Sequence, residues 1–392
     1  MAQKPKRLFN WKYIVFVCLQ TLNFTMFYIC FPVIPKYAVS QGLSLEQAGI
    51  LAGGFAIASL VARPLAGYCN DHFGRKRIMI AALALCGITT AALSFFGNVV
   101  LLLIFRLIFG AGYSFFTTIL VSCATDYIPD KNIAEGIGYI GLGVALAAAV
   151  GPPIGLIALD SIGAVTLFRV MCAVYLISAV IVFFVPVIEM HETAEMSVSK
   201  NESAFSISNF IEKKAIVYSL LVIPFAFSTG FFNSFIAITA EERSIEGIEI
   251  FFTVYAVVMM LLKPISGKAQ DRWGLSFVLI PAFLLTALAN GIISISQSLT
   301  LMLIAAVFLA FGQGAGQPSL QAQCVKVTDV THRGTAIGTY YLGQDIGNGI
   351  GNIAGASVAS AFGYSGAYLF CAGLSLLGMI VYILHKRLSA SF

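Results

Sequence analysis

Asp345, in the stretch "YYLGQDIGNGIGN", and Arg106, in "LLLIFRLIFGAG", each stand well inside an apolar run. These are residue types that move protons or hold ions: an acid kept from bulk water can exchange a proton, and a cation can balance or modulate that exchange. Read as helices, the runs place Asp345 about ten residues in, roughly 15 Å deep, and Arg106 about eight residues in, roughly 12 Å. A cation at that depth costs at least ~2.5 kcal/mol unless it faces protein or water. For Asp345 the competing reading is a structural ion pair or a hydrogen-bonded carboxylate. For Arg106 it is a guanidinium bonded to backbone carbonyls.

Polar and aromatic residues accompany these two at helical spacing. Tyr341, Asp345, Asn348 and Asn352 advance by four, three and four, so they share one helix face. Gln313, Gln317 and Gln321 recur every four residues; Gln20, Asn23, Phe24, Phe27 and Tyr28 cluster in the first apolar run, Tyr113 follows Arg106, and Ser228, Thr229 and Asn233 fall in a later run. As a group they are expected to line a cavity for a small organic molecule, the alternative being interhelical glue. No nucleophile–base pair, HExxH or paired-Asp motif occurs at comparable depth, so enzymatic chemistry is not expected. The eight cysteines are scattered singly and the four histidines fall in or beside polar connectors, so neither a metal site nor a cofactor is expected.

The elements that position these residues follow from composition. Of 392 residues, 59% are hydrophobic and only 10% charged, against roughly a quarter charged in a soluble globular chain. Lipid is the solvent such an exterior needs. A span takes about 20 apolar residues, and twelve such stretches can be read: 13–37, 45–68, 78–96, 99–127, 133–159, 165–188, 215–240, 248–267, 277–295, 299–325, 335–362 and 367–385. The expected fold class is therefore an all-α membrane protein of twelve transmembrane helices. With both termini cytoplasmic, nearly all Lys and Arg of the connectors fall inside and only Lys36, Arg169 and Arg243 outside, which satisfies the positive-inside rule. The net charge of +5 is dispersed among connectors, with no aromatic-basic stripe, so nucleic acid is not an expected partner.

The chain also repeats itself. At an offset of 200, Pro64, Gly67, Asp71 and Gly74 fall on Pro264, Gly267, Asp271 and Gly274, and Arg63 falls on Lys263. The same offset aligns Ile137, Gly138, Leu142, Gly143, Gly151, Gly155 and Gly163 with Ile337, Gly338, Leu342, Gly343, Gly351, Gly355 and Gly363. The expected organisation is two six-helix bundles, 1–188 and 213–392, joined by a polar linker over 189–212. Parallel repeats of this kind occur in secondary transporters whose substrate site lies between the halves.

The charged insert "GYCNDHFGRKR" (67–77) carries the most specific signal. It resembles the loop motif of the major facilitator superfamily, G-x-L-A-D-R-x-G-R-K, retaining Gly67, Asp71, Gly74, Arg75 and Lys76 and departing at Cys69, Asn70 and His72. Its glycines are read as permitting a tight turn, and Asp71 as accepting from a neighbouring helix N-terminus and pairing with Arg75. The echo supplies Gly267, Asp271, Arg272 and Gly274. By the resemblance, Asp126 in "ATDYIP" joins this network and the whole forms a gate; the bland reading is a set of positive-inside residues at a sharp turn. Arg106 to Gly112, R-x-x-x-G-x-G, is similar to the family's span-four motif, where the arginine is implicated in proton transfer. Gly143, Ala147, Gly151, Pro152 and Gly155 resemble its antiporter motif, with Ala147 and Leu156 in place of glycines, and the two prolines Pro152 and Pro153 are expected to kink the helix.

The resemblance implies a proton-coupled exporter of a small organic molecule or drug, of the drug:proton antiporter type. It would work by alternating access, as a monomer in a bacterial plasma membrane, with Asp345 and Arg106 in coupling. A proton- or sodium-coupled symporter importing a metabolite is the second reading, and a non-transporting membrane sensor or scaffold the third.

Overall fold

The computed structural model describes residues 7–43, 45–95, 98–189 and 210–390, and among these no strand is present. Most of the linker therefore lies outside the described residues. The helices are α1 (Trp11–Ser40), α2 (Leu45–His72), α3 (Arg75–Ala92), α4 (Val99–Asp126), α5 (133–162), α6 (164–184), α7 (Lys213–Glu242), α8 (Glu249–Trp273), α9 (Leu275–Ile295), α10 (Leu299–Val327), α11 (333–362) and α12 (364–390). A helix satisfies its own backbone polar groups, the requirement that lipid imposes on these apolar stretches. Eight helical stretches are long and apolar enough to cross a membrane, one of them, Asp130–Phe184, holding both α5 and α6.

The boundaries between α5 and α6 and between α11 and α12 are single glycines. Gly163 (φ 75°, ψ 161°) and Gly363 (φ 71°, ψ 171°) are the residues that leave helical geometry within otherwise continuous helices. That φ is costly for a residue with a Cβ. The expected kink is thus displaced: α5 carries Pro152 and Pro153 in helical conformation and breaks at Gly163 instead.

The offset of 200 is visible in the elements. Helices α3 and α9 start at Arg75 and Leu275, α4 and α10 at Val99 and Leu299, and α5 and α11 at Ile133 and Arg333. Short 3-10 turns precede the last pair at Asp130–Asn132 and Val330–His332.

The chain divides into two compact units, Met1–Asp130 with Gly143–Lys213 and Thr328–Thr339, and Lys131–Leu142 with Lys214–Val327 and Tyr340–Phe392. The first turns of α5 and α11 thus each belong with helices of the opposite sequence half. In the first unit α2 and α3 pack on α4, and α1 on both α2 and α4. In the second α9 and α8 pack on α10, and a core of Phe231, Phe232, Phe251, Ile293, Leu309 and Tyr368 fills the space between α7, α8, α9, α10 and α12.

The glycine stripes are packing surfaces. On α5, a Cβ at Gly143 would meet the Thr21 hydroxyl, one at Gly151 would meet Tyr28 Cβ at 2.7 Å, and one at Gly155 would meet the Ile29 carbonyl at 3.0 Å, all on α1. On α11, Gly343, Gly347, Gly351 and Gly355 lie against Ser219, Ile223, Phe227 and Phe231 of α7 in the same way. Small residues at four-residue spacing let two backbones approach where there is no hydrophobic drive between helices.

Candidate functional site

The α2–α3 turn is built around two buried charges in the first unit. Asp71 Oδ1 accepts from the Gly334 amide (3.0 Å), and Oδ2 accepts from the Thr335 amide (2.8 Å) and hydroxyl (2.6 Å). The carboxylate therefore occupies the electropositive start of α11, whose first amides have no partner within the helix. Burial raises the Asp71 carboxyl above its ordinary value, while Thr335, Asn70 and the nearby Arg75 act the other way.

Arg75 does not pair with Asp71. Its Nη1 donates to Asp126 Oδ2 at 2.7 Å, with the arginine side chain fully buried, and its Nε donates to the Asn70 carbonyl at 3.0 Å. Arg333 Nη1 approaches the other Asp126 oxygen at 3.6 Å. Asn70 joins the two charged groups, since its side-chain amide donates to Asp71 Oδ1 at 2.8 Å. This residue departs from the motif's general form, and it supplies the link the expected ion pair would have made. Glu189 caps α3, accepting from the Arg75 and Lys76 amides at 2.8 and 3.2 Å. The Lys76 ammonium sits 5.5 Å over the Phe183 ring.

The second unit repeats the cap. Asp271 accepts from the Ala134 and Glu135 amides at 3.2 and 2.9 Å, at the start of α5. Around it the charges differ: Lys326 Nζ donates to Asp271 at 2.6 Å, and Lys268 lies 3.2 Å from Glu135, which also accepts from Asn132. Arg272 is outside this network and stacks on Trp273. Lys326 stands at the position equivalent to Asp126, so the two networks hold opposite charges at matched places.

The motif glycines serve for different reasons than a shared turn. A Cβ at Gly67, inside α2, would come within 2.8 Å of the Thr335 Cα. One at Gly267, inside α8, would collide with the Ala134 backbone. Gly74 has φ −64° and ψ 101°, accessible to any residue, whereas Gly274 has φ 85°.

The expected cavity residues fall into two sets, one per unit. In the first, Phe27 stacks on Tyr113 (4.7 Å between centroids, 15°) and packs on Phe55 at 4.6 Å, with Phe24 5.5 Å from Tyr113 and Tyr28 beside Phe27. Gln20 is fully buried with neither amide atom bonded, and the Tyr113 hydroxyl also has no partner. Asn23 donates to Ser178 on α6 at 3.1 Å, which makes it in part interhelical glue. Arg106 is buried on α4; its Nε donates to the Leu51 carbonyl at 3.2 Å and its guanidinium lies 5.3 Å over Phe109.

In the second unit the amides form one network. Gln313 Oε1 accepts from Thr229 (2.8 Å) and Tyr255 (2.6 Å), and Gln317 donates to Thr229 at 3.2 Å. Gln321 is buried with its side-chain nitrogen unbonded. Tyr341, Asp345 and Asn348 are half-buried on α11 and Asn233 is exposed on α7; the Asn352 side chain lies outside the described residues. Lys263, the equivalent of Arg63, was visible only in the repeat alignment. Its Nζ donates to the Gly141 carbonyl at 2.9 Å, whereas Arg63 bonds the Thr117 and Thr118 hydroxyls.

Two offset-related sets of membrane helices, carrying polar faces instead of a reaction centre, define a multi-pass membrane transporter and not an enzyme. The sequence profile of the Major Facilitator Superfamily matches residues 16–245 and 218–390, and the chain belongs to that superfamily. An uncharacterised MFS-type transporter of Methanocaldococcus jannaschii is 25% identical over 95% of this chain and 98% of its own length. The multi-drug resistance efflux pump PmrA homolog of Lactococcus lactis is 24% identical over 91% of each chain. Among solved structures, the E. coli fucose:proton symporter FucP superposes with a TM-score of 0.76 at 16% identity, covering 94% of this chain and 98% of that one. The fold is accordingly the all-α major facilitator fold of two pseudo-symmetric six-helix bundles, and the protein is a secondary transporter of the drug-efflux-like kind.

Proposed function

We propose that this transporter exports a small organic molecule in exchange for protons, by alternating access in the cell membrane with both termini in the cytoplasm. The observation that carries the reading is a pair of intramembrane charges, Asp345 on α11 and the buried Arg106 on α4, each in a helix that also carries polar or aromatic residues suited to a solute. The likeness to a multidrug efflux pump over nine-tenths of both chains supports the exporting direction, as does the Gly-Pro pattern of α5. In this scheme Asp345 exchanges the proton, Arg106 modulates that exchange, and the Asp71 and Asp271 caps belong to the gate. The test is proton flux in proteoliposomes, read by an entrapped pH-sensitive dye as solutes are added under an imposed pH gradient. Solute-dependent proton movement that is lost in Asp345→Asn is expected; flux indifferent to the gradient, with Asp345→Asn fully active, overturns the coupling.

A symporter is the second reading, favoured by the structural likeness to FucP. Direction of net solute movement in the same vesicles separates the two.

A further inference from the structure

The first unit holds a group of buried hydrogen-bond donors with no acceptor. Arg106, on α4, is 5% exposed, and among the described residues no carboxylate lies within ion-pair distance of it. The Leu51 carbonyl takes its Nε proton at 3.2 Å, and the guanidinium rests 5.3 Å from the centre of the Phe109 ring. The same ring is 5.7 Å from Tyr113 and 6.0 Å from Tyr175, on α6. Both tyrosines are essentially unexposed, and neither hydroxyl has a partner. Gln20 on α1, fully buried and likewise unbonded, adds a further amide. A small cavity reaches the guanidinium from the side of α1 and α3, lined by Ile34, Tyr37, Leu51, Leu93 and Leu102.

Buried polar groups are nearly always bonded, and a buried cation nearly always has a counter-charge. One cation and two hydroxyl donors gathered on one ring, without a carboxylate, are complementary to an anionic group arriving from outside the chain. The surroundings specify what else that ligand carries. Phe27, Phe55 and Tyr113 stack on one another at 4.6–5.7 Å between centroids, an aromatic wall that favours a flat apolar body. Arginine is suited to the head, since its planar fork matches a carboxylate and holds its charge at every accessible pH.

We propose that the solute is an amphipathic organic anion, an aromatic carboxylate in the simplest case, whose charged group binds at Arg106 with the Tyr175 and Tyr113 hydroxyls. This rests on the transport reading, and it names the charge of the solute that reading leaves open. An inorganic anion lacks the body that the aromatic wall would hold, and an organic cation would meet only donors.

The test is equilibrium binding to the full-length protein in phosphatidylcholine nanodiscs with no gradient, so its outcome is separate from that of proton coupling. The probes are 1-naphthoate, 1-naphthylmethylammonium and 1-naphthalenemethanol, which share one ring system and differ in charge, with sodium chloride and phosphatidylglycerol as competitors. Saturable binding of naphthoate, at least tenfold tighter than of the cation or the alcohol, is expected. It should weaken at least tenfold in Arg106→Gln, remain largely intact in Arg106→Lys, and weaken a few-fold in Tyr175→Phe. The Tyr175→Phe variant keeps the ring and the packing, so it reports on the hydroxyl even where Arg106→Gln folds poorly. Equal affinity for the ammonium probe, or naphthoate affinity unchanged in both Arg106→Gln and Tyr175→Phe, overturns the proposal. Displacement of naphthoate by chloride at comparable concentration, or by phosphatidylglycerol at lower concentration, would assign the subsite to a simple ion or to lipid and would overturn it equally.

Discussion

Asp71 and Asp271, two hundred residues apart, make the same contact: each carboxylate accepts from two consecutive backbone amides at a helix start, Gly334 and Thr335 for one, Ala134 and Glu135 for the other. The amides are themselves two hundred residues apart, so the duplication conserves the contact itself, donors as well as acceptor. Only the surroundings have diverged, Asp71 gaining Thr335 and Asn70 where Asp271 has Lys326.

Removing either cap leaves two buried amides without an acceptor. Asp71→Ala and Asp271→Ala should each lower thermal stability in detergent by about 1–2 kcal/mol, the range for a lost helix cap. Asp71→Asn, which keeps an acceptor oxygen but no charge, should lose less than Asp71→Ala.

Arg75 and Asp126 form the buried ion pair, so truncating one partner strands the other. Arg75→Ala should cost about 3–5 kcal/mol, and a double change to apolar residues of similar size at both positions should recover much of it. In a double-mutant cycle read by thermal unfolding, Arg75 should couple strongly to Asp126 and weakly to Asp71. Reversing the charge at Asp71 should accordingly not be rescued by reversing that at Arg75.

Four motif glycines should respond differently to alanine. At Gly67 and Gly267 the added carbon meets backbone of α11 and α5, which cannot swing aside, and both expression and transport should fall. At Gly274 the cost is conformational, about 1–2 kcal/mol for a left-handed residue with a Cβ. At Gly74 the nearest atom is 3.8 Å away, and alanine should be tolerated within about 0.5 kcal/mol.

Gln313 is the centre of the second unit's amide network. Gln313→Leu leaves the Thr229 and Tyr255 hydroxyls without their acceptor and should cost about 1–3 kcal/mol in thermal unfolding. Gln317→Leu, which breaks a single bond to Thr229, should cost less.

Much of this was legible in the residues because lipid leaves a chain few options. The hydropathy runs, the glycine stripes and the offset of the two halves all report helix and helix-packing constraints, and α1 to α12 lie where those signals put them. Partner choice within the turn was harder to read. Asp71, Arg75 and Asp126 were recognisable as a set, but the geometry that sends Arg75 to Asp126 and leaves Asn70 to join it to Asp71 depends on how α2, α3 and α4 meet. Glu189 was hidden because it sits where an apolar run passes into polar sequence, with nothing local to mark it as the cap of a helix more than a hundred residues earlier. Lys268, Lys326 and Arg333 looked like topology charges, and only their contacts with Glu135, Asp271 and Asp126 give them a further role. For α5, the paired prolines drew attention from Gly163, the residue whose φ breaks the helix.

The Asp271 cap has a consequence for how the protein is made. Glu135 and Asp271 are separated by 136 residues, which at ribosomal rates corresponds to roughly 7–27 s of synthesis. Throughout that interval the first turn of α5 exists in the nascent chain while the carboxylate that will cap it does not. Insertion of the early helices must therefore leave that turn accessible to water or to the insertion machinery until α8 is delivered, and a ribosome stalled between the two would hold a half-built transporter with an open helix end.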